Sequence, residues 1–205
     1  MVDLTRGESG SRGTPETRAT EAQEAARILG AAHRESLGLP DARLSVVPEH
    51  KDPMVEAIRR LRPRVVLLQH WEQRHPDHAA ASRIVYDACF LAGLRSYRPD
   101  LGPAFRPSKH AYSVTMTEAN DLAPTFVVDV TPVWETKMRA IAAFASQFTP
   151  TPGETGPLPL DRFKEAVELS GRRHGQRIGV RYGEGFVTRE PLTVHNLLAL
   201  GGPSI

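Results

Sequence analysis

The chain has 205 residues, 40% hydrophobic and 24% charged, which is ordinary globular usage, and the length suits one large domain, with two small ones as the alternative. Lysine and arginine number 26 against 24 acidic residues, and a net charge of +2 gives no reason to invoke a nucleic acid or a membrane surface as partner. One cysteine, Cys89, excludes an intrachain disulfide and a cysteine-based zinc finger. No apolar run approaches the roughly 20 residues that span a bilayer, and no basic stretch leads into an apolar core at the N-terminus. A cytoplasmic protein is expected. The basic cluster Arg59, Arg60, Arg62 and Arg64 reads as a solvated helix end.

Met1 to Thr5 looks like the end of a strand, followed by a polar, glycine-rich loop from Arg6 to Gly13. A domain seldom begins with the tail of a buried strand, so a preceding segment is expected. Thr14-Pro15 supplies a cap and a first-turn proline, and Ala19, Ala22, Ala26 and Leu29 recur at helical spacing up to Gly30. That small alanine face suits a helix packed against a sheet. A second helix is predicted over Met54 to Leu61, and Val65 to Leu68 then reads as a strand buried on both faces. After the polar segment His70 to His78 comes a helix carrying Ala81, Ile84, Val85, Ala88 and Ala92, stopped by Gly93.

Further strands are predicted at Tyr112 to Met116 and Phe126 to Val130. Helices are expected over Val133 to Phe148, with Ala140, Ala143 and Phe144 on one face, and from Asp161 as cap to about Gly175. Thr149 to Pro159 is a loop or lid. The tail holds an extended Val180-Arg181-Tyr182 and an apolar end at Leu197-Leu198. Alternating helices and buried strands argue for an α/β fold.

The segment Trp71-Glu72-Gln73-Arg74-His75-Pro76-Asp77-His78 carries the most chemistry. It lies past the carboxyl end of a strand, where open α/β sheets place ligands. His75 and His78 are three apart across a helix start, so both can face one cleft. One neutral imidazole can bind a divalent metal while the other is polarised by a carboxylate such as Asp77. A cap with exposed polar neighbours would give the same letters, and position at the strand end favours a site. A catalytic zinc usually has three protein ligands. This motif offers one or two; Asp3 and Glu8 are conceivable additions, Asp129 and His110 weaker ones.

Six pieces occur in order: Asp3-Leu4-Thr5-Arg6-Gly7-Glu8, Gly13-Thr14-Pro15-Glu16-Thr17-Arg18, Arg74-His75-Pro76-Asp77-His78-Ala79, Phe126-Val127-Val128-Asp129-Val130, Ser146-Gln147-Phe148 and Gly179-Val180-Arg181-Tyr182-Gly183-Glu184-Gly185-Phe186. As a set they resemble the LmbE-like (PIG-L) zinc deacetylases from residue 1 to about residue 200, nearest to the bacillithiol-pathway branch that acts on N-acetylglucosaminyl malate. The resemblance implies one Rossmann-like domain with a mostly parallel sheet flanked by helices, a single zinc, hydrolysis of an N-acetyl group on an amino-sugar conjugate, and homo-oligomers; histidine and carboxylate ligands accept Fe2+ as well as Zn2+. It implies His78 as a metal ligand, His75 as electrophile or acid oriented by Asp77, Arg18 as a grip on anionic or hydroxyl groups, and Tyr182 as an oxyanion donor. The family's first motif, Ala-His-Pro-Asp-Asp, which supplies two zinc ligands and the general base, is absent. The expectation is a chain lacking the first strand and helix, roughly 30–40 residues or about one βα unit. Such a chain binds zinc poorly, turns over negligibly and tends to aggregate. A catalytically dead sugar-binding or assembly subunit of the same fold is the alternative.

Overall fold

The computed structural model describes residues 1–114, 122–149, 159–199 and 201. They divide between two units, Met1–Ala42 with Asp129–Gly183, and Arg43–Val128 with Glu184–Ile205. Among the described residues no helix is long and apolar enough to cross a membrane.

In the first unit, β1 (Val2–Asp3) pairs in parallel with β2 (Glu35–Ser36). The helix α1 (Pro15–Leu29) starts as its sequence predicts: Thr14 Oγ1 accepts from the Thr17 N–H, and Gly30 closes the helix in the left-handed region at φ 68°. Its buried stripe differs from the predicted one. Ala25 and Ala26 are buried while Ala19 and Leu29 are exposed, because α1 packs on the helix α4 (Trp134–Ala142) rather than on a sheet.

The single helix expected over 133–148 is interrupted. A 3-10 turn covers Thr131–Val133, α4 follows, Phe144 leaves the helical region at ψ 51°, and α5 (Ala145–Phe148) resumes. The long helix α6 (Leu160–Gln176) has Asp161 inside its first turn rather than at the cap, which falls on Pro159. Val130, Trp134, Val167 and Tyr182 form the buried core of this unit. Gly171 lies under the Trp134 ring, where a Cβ would collide with the indole.

The second unit holds α2 (Pro48–Leu61), β3 (Val65–Gln69), α3 (Pro76–Ala92), β4 (Lys109–Ser113), β5 (Phe126–Asp129) and β6 (Gly183–Val187), with one end residue of β5 and of β6 falling at the unit boundary. Strand order is β3-β4-β6-β5, parallel between β3 and β4 and antiparallel between β4 and β6. The predicted face of α3 is buried at every position named from the sequence, Ala81, Ile84, Val85, Ala88 and Ala92. α2 begins six residues earlier than predicted, with Pro48 in its first turn and Pro53 retained inside the helix.

Three other expectations are corrected. β3 is buried on one face only: Leu68 is 6% exposed, but Val65 is 52% and Leu67 64% exposed. β3 stands at the edge of its sheet, and α3 packs on it from one side. Arg59 is not a solvated helix end. It shares a helix face with Val55 and Ile58, is itself buried, and directs all five N–H donors to the carbonyls of Ala92, Leu94, Tyr97, Arg98 and Gly102 at 2.7–3.1 Å. The late strand lies at Gly183–Val187 rather than 180–182, because the Val180 N–H closes the end of α6 on Gly175 O.

β4 begins at Lys109, and Thr115 and Met116 of the predicted strand lie outside the described residues. So do residues 150–158 of the predicted lid. Leu197 and Leu198 are exposed, in a short 3-10 turn.

Candidate active site

β3 delivers the chain to the histidine segment, and its first residue beyond the strand is locked. His70 is 1% exposed; its Nδ1 accepts from the Glu72 N–H at 3.1 Å and its ring stacks on Trp71 at 3.9 Å. Trp71 meets Tyr112 edge-on at 4.9 Å, and the Arg189 guanidinium lies over the rings of Trp71, Tyr86 and Tyr112 at 4.6, 4.4 and 5.2 Å. Burial holds the His70 imidazole below its ordinary pKa and pushes the Tyr112 phenol up to about 12. Ser82 Oγ on α3 donates to Gln69 O at 2.8 Å, tying helix to strand end.

His75 caps α3, with its Nδ1 accepting from the Asp77 N–H at 3.2 Å, so the proton of the neutral ring sits on Nε2. The rings of His75 and His78 stack at 4.9 Å. His78 is an exposed residue, yet desolvation holds its pKa below the ordinary imidazole value; the charge of His75 adds to this and that of Asp77 opposes it. A neutral imidazole is the form that binds a metal.

The expectation that Asp77 orients His75 through its carboxylate is corrected. It does so through its backbone instead, because the second helical position aims the amide at the cap residue. The carboxylate turns away: Oδ1 accepts from the Leu44 N–H at 3.3 Å, and Oδ2 is buried with no partner among the described residues.

Arg18 and Tyr182 belong to the first unit and have separate surroundings there. Arg18 donates from Nε to Arg12 O and from Nη2 to Gln147 Oε1, each at 2.9 Å. Tyr182 is 5% exposed, stacks on Trp134 at 4.0 Å, and donates its hydroxyl to Glu168 Oε1 at 3.0 Å. Hydrogen bonds from Arg172 and then Tyr182 hold the Glu168 carboxyl below the usual carboxylate range.

The other acidic candidates have local work. Asp3 pairs with Arg34 at 2.7 Å, Glu8 accepts from the Asp41 N–H at 2.9 Å, and Asp129 accepts from the Thr131 N–H at 2.9 Å. His110 lies against the Tyr86 ring at 5.8 Å. Among the described residues no three histidine, cysteine, aspartate or glutamate side chains gather into a metal set. The structure therefore brings His75 and His78 together at the start of α3, while Asp3, Glu8 and Asp129 each have a partner within their own unit. Two contributors have weak sequence signals: His70 reads only as a polar residue after a strand, and Gln147 only as part of a quoted motif.

Comparison with known proteins adds the following. The family model PIG-L, GlcNAc-PI de-N-acetylase, matches residues 1–89. The crystal structure of the conserved protein TT1542 from Thermus thermophilus superposes with a TM-score of 0.81 at 40% identity, covering 94% of this chain and 82% of that one. Diacetylchitobiose deacetylase of Thermococcus kodakarensis is 31% identical over 174 residues, 82% of this chain. A 4-oxalmesaconate hydratase of Pseudomonas putida is 27% identical over 143 residues, 69% of this chain. The chain spans 61% and 55% of the lengths of these two curated relatives. The mixed α/β fold with helix-flanked sheets matches the crystal structure of the Thermus thermophilus protein.

Proposed function

The chain belongs to the PIG-L family, and from that premise we propose that it hydrolyses the N-acetyl group of an amino-sugar conjugate. The observation that carries this reading is the His75–His78 pair, rings stacked at 4.9 Å just past the carboxyl end of a parallel strand. The matching family model is described as a de-N-acetylase, and the relative from Thermococcus kodakarensis is named for deacetylation of a diacetylated sugar. The finer reading is a conjugate with an anionic aglycone, N-acetylglucosaminyl malate of the bacillithiol pathway, handled in the cytoplasm by a homo-oligomer whose two units act as one deacetylase domain.

The metal in this reading is Zn2+ or Fe2+, with His78 as the donor this chain contributes. A bound metal supplies an activated water and polarises the acyl oxygen. One neutral imidazole and a neighbouring ring are not a catalytic metal site by themselves, so the described residues do not fit such a metal alone.

What the chain's own side chains offer is more definite. His75 presents an Nε2–H, the proton a developing oxyanion or a departing amine requires, while its Nδ1 is held by the Asp77 amide. Tyr182 serves an oxyanion only by exchanging its Glu168 partner for the substrate oxygen. Arg18 keeps donors for a carboxylate on the conjugate.

The second reading, a sugar-binding subunit without turnover, is favoured by the lack of a three-donor set among the described residues. Acetate release from N-acetylglucosaminyl malate and from diacetylchitobiose, with and without added Zn2+, separates the two. Metal-dependent release that fails in His75→Ala supports the hydrolase. Binding of either sugar with no release under any metal supports the subunit and removes the enzyme.

A further inference from the structure

In the first unit, one arginine is enclosed by a loop that leaves it no side chain to displace. The loop passes the Arg18 guanidinium at Gly7 and Gly10, and a Cβ at either position would collide with its terminal nitrogens. Two of the five N–H donors are engaged inside the protein, on Arg12 O and on Gln147 Oε1. No carboxylate pairs with Arg18 among the described residues; the nearby Glu21 is occupied by the Ser146 N–H and Oγ at 2.6 and 2.7 Å.

Gln147 has no freedom to turn. Its Nε2 donates to Arg12 O at 3.2 Å and to Ser146 Oγ at 3.0 Å, and its own carbonyl accepts from Arg12 Nη1 at 3.2 Å. Arg12 O can only accept, and Ser146 Oγ gives its proton to Glu21, so the amide nitrogen must face both. Oε1 is thereby committed to the guanidinium. Arg12 O in turn takes one bond from Arg18 and one from Gln147, which ties both side chains to one acceptor.

We propose that Gln147 is a positioning residue that fixes Arg18, in its charged and unpaired state, for a carboxylate carried by the sugar conjugate. The inference rests on the reading of Arg18 as a substrate-binding residue and adds how that residue is made ready. The rotamer freedom of a long cationic side chain is given up in the fold rather than on binding, which strengthens the grip on an anion and leaves a neutral sugar indifferent.

Calorimetric titration of the full chain tests this with two probes, N-acetylglucosaminyl malate and the neutral methyl N-acetylglucosaminide. The wild type prefers the anionic probe. Gln147→Met, isosteric but unable to accept, reduces that preference about tenfold, the worth of one bond to a charged group, without changing affinity for the neutral probe. Gln147→Asn, too short to reach, gives the same loss. Arg18→Met abolishes the preference, and adding Gln147→Met to it causes no further loss. Equal weakening of both probes by Gln147→Met, or a penalty that persists beside Arg18→Met, overturns the proposal. A wild type that binds both probes without preference also overturns it while the amino-sugar reading stands. If the wild type binds neither, that reading and this inference fall together.

Discussion

Arg18 in the first unit and the His75–His78 segment in the second are held in opposite ways. Arg18 is held by side chains and by the absence of side chains: an amide, a carbonyl and two glycines fix where its charge lies. The histidines are held by the backbone: Asp77 N–H reaches the His75 ring, His78 N–H reaches His75 O, and no hydrogen bond restrains the His78 ring among the described residues. A helix start can aim two imidazoles, but it leaves them free to change partners. The contrast separates a prearranged charge from donors that become fixed only when something binds them.

Four experiments bear on that contrast, the largest effect first. His78→Ala is expected to abolish the weak Zn2+ binding that an isolated imidazole pair provides, read by equilibrium dialysis at raised metal concentration, since no three-donor set stands behind it among the described residues; binding at the wild-type level breaks the assignment of that residue. Tyr182→Phe is expected to lower kcat about 10²–10³-fold if the hydroxyl leaves Glu168 for the oxyanion. A lower melting temperature with unchanged kcat instead makes it a core tyrosine stacked on Trp134. Gly7→Ala, at φ 69° and against the guanidinium, is expected to cost about 1–2 kcal/mol in denaturant unfolding. Gly10→Ala needs only the tip of a flexible side chain to shift, so its melting stays near wild type while any preference for an anionic sugar falls.

The smallest effect is on pH. Burial lowers the pKa of His70 and His110 below the ordinary value of 6.5. As pH falls through 6.5, the unfolded chain takes up protons that the folded chain still refuses, so stability is full above that pH and declines below it. Melting curves at about pH 7.5 and about pH 5.5 are expected to show the decline, and His70→Gln to reduce it. A melting temperature that rises on acidification contradicts the burial argument.

Periodicity makes some of this legible in the sequence. The cap Thr14, the stop at Gly30 and every core position named on α3 follow from spacing alone, because a helix writes its buried face into a fixed period. The uncovered face of β3 does not follow, since Val65 and Leu67 are as apolar as Leu68, and only the sheet order tells an edge from a centre. The break at Phe144 escapes a helical pattern because the residues on both sides remain helix formers. In the site, His75, Asp77 and His78 are visible as a motif at a helix start. The turn of the Asp77 carboxylate towards Leu44 and the hold of Gln147 on Arg18 depend on contacts across 33 and 129 positions of chain, which no local pattern encodes.

The burial of Arg59 bears on how this protein can be engineered. Its guanidinium binds five carbonyls between residues 92 and 102, so the end of α3 and the turn after it are shaped around a cation that belongs to another helix. A reporter or affinity tag inserted in that turn would pull the oxygens away and leave a positive charge stranded in the interior. A lysine there, with three donors for five acceptors, could not keep the turn closed. The surface there invites insertion by its loop character and forbids it by what lies underneath.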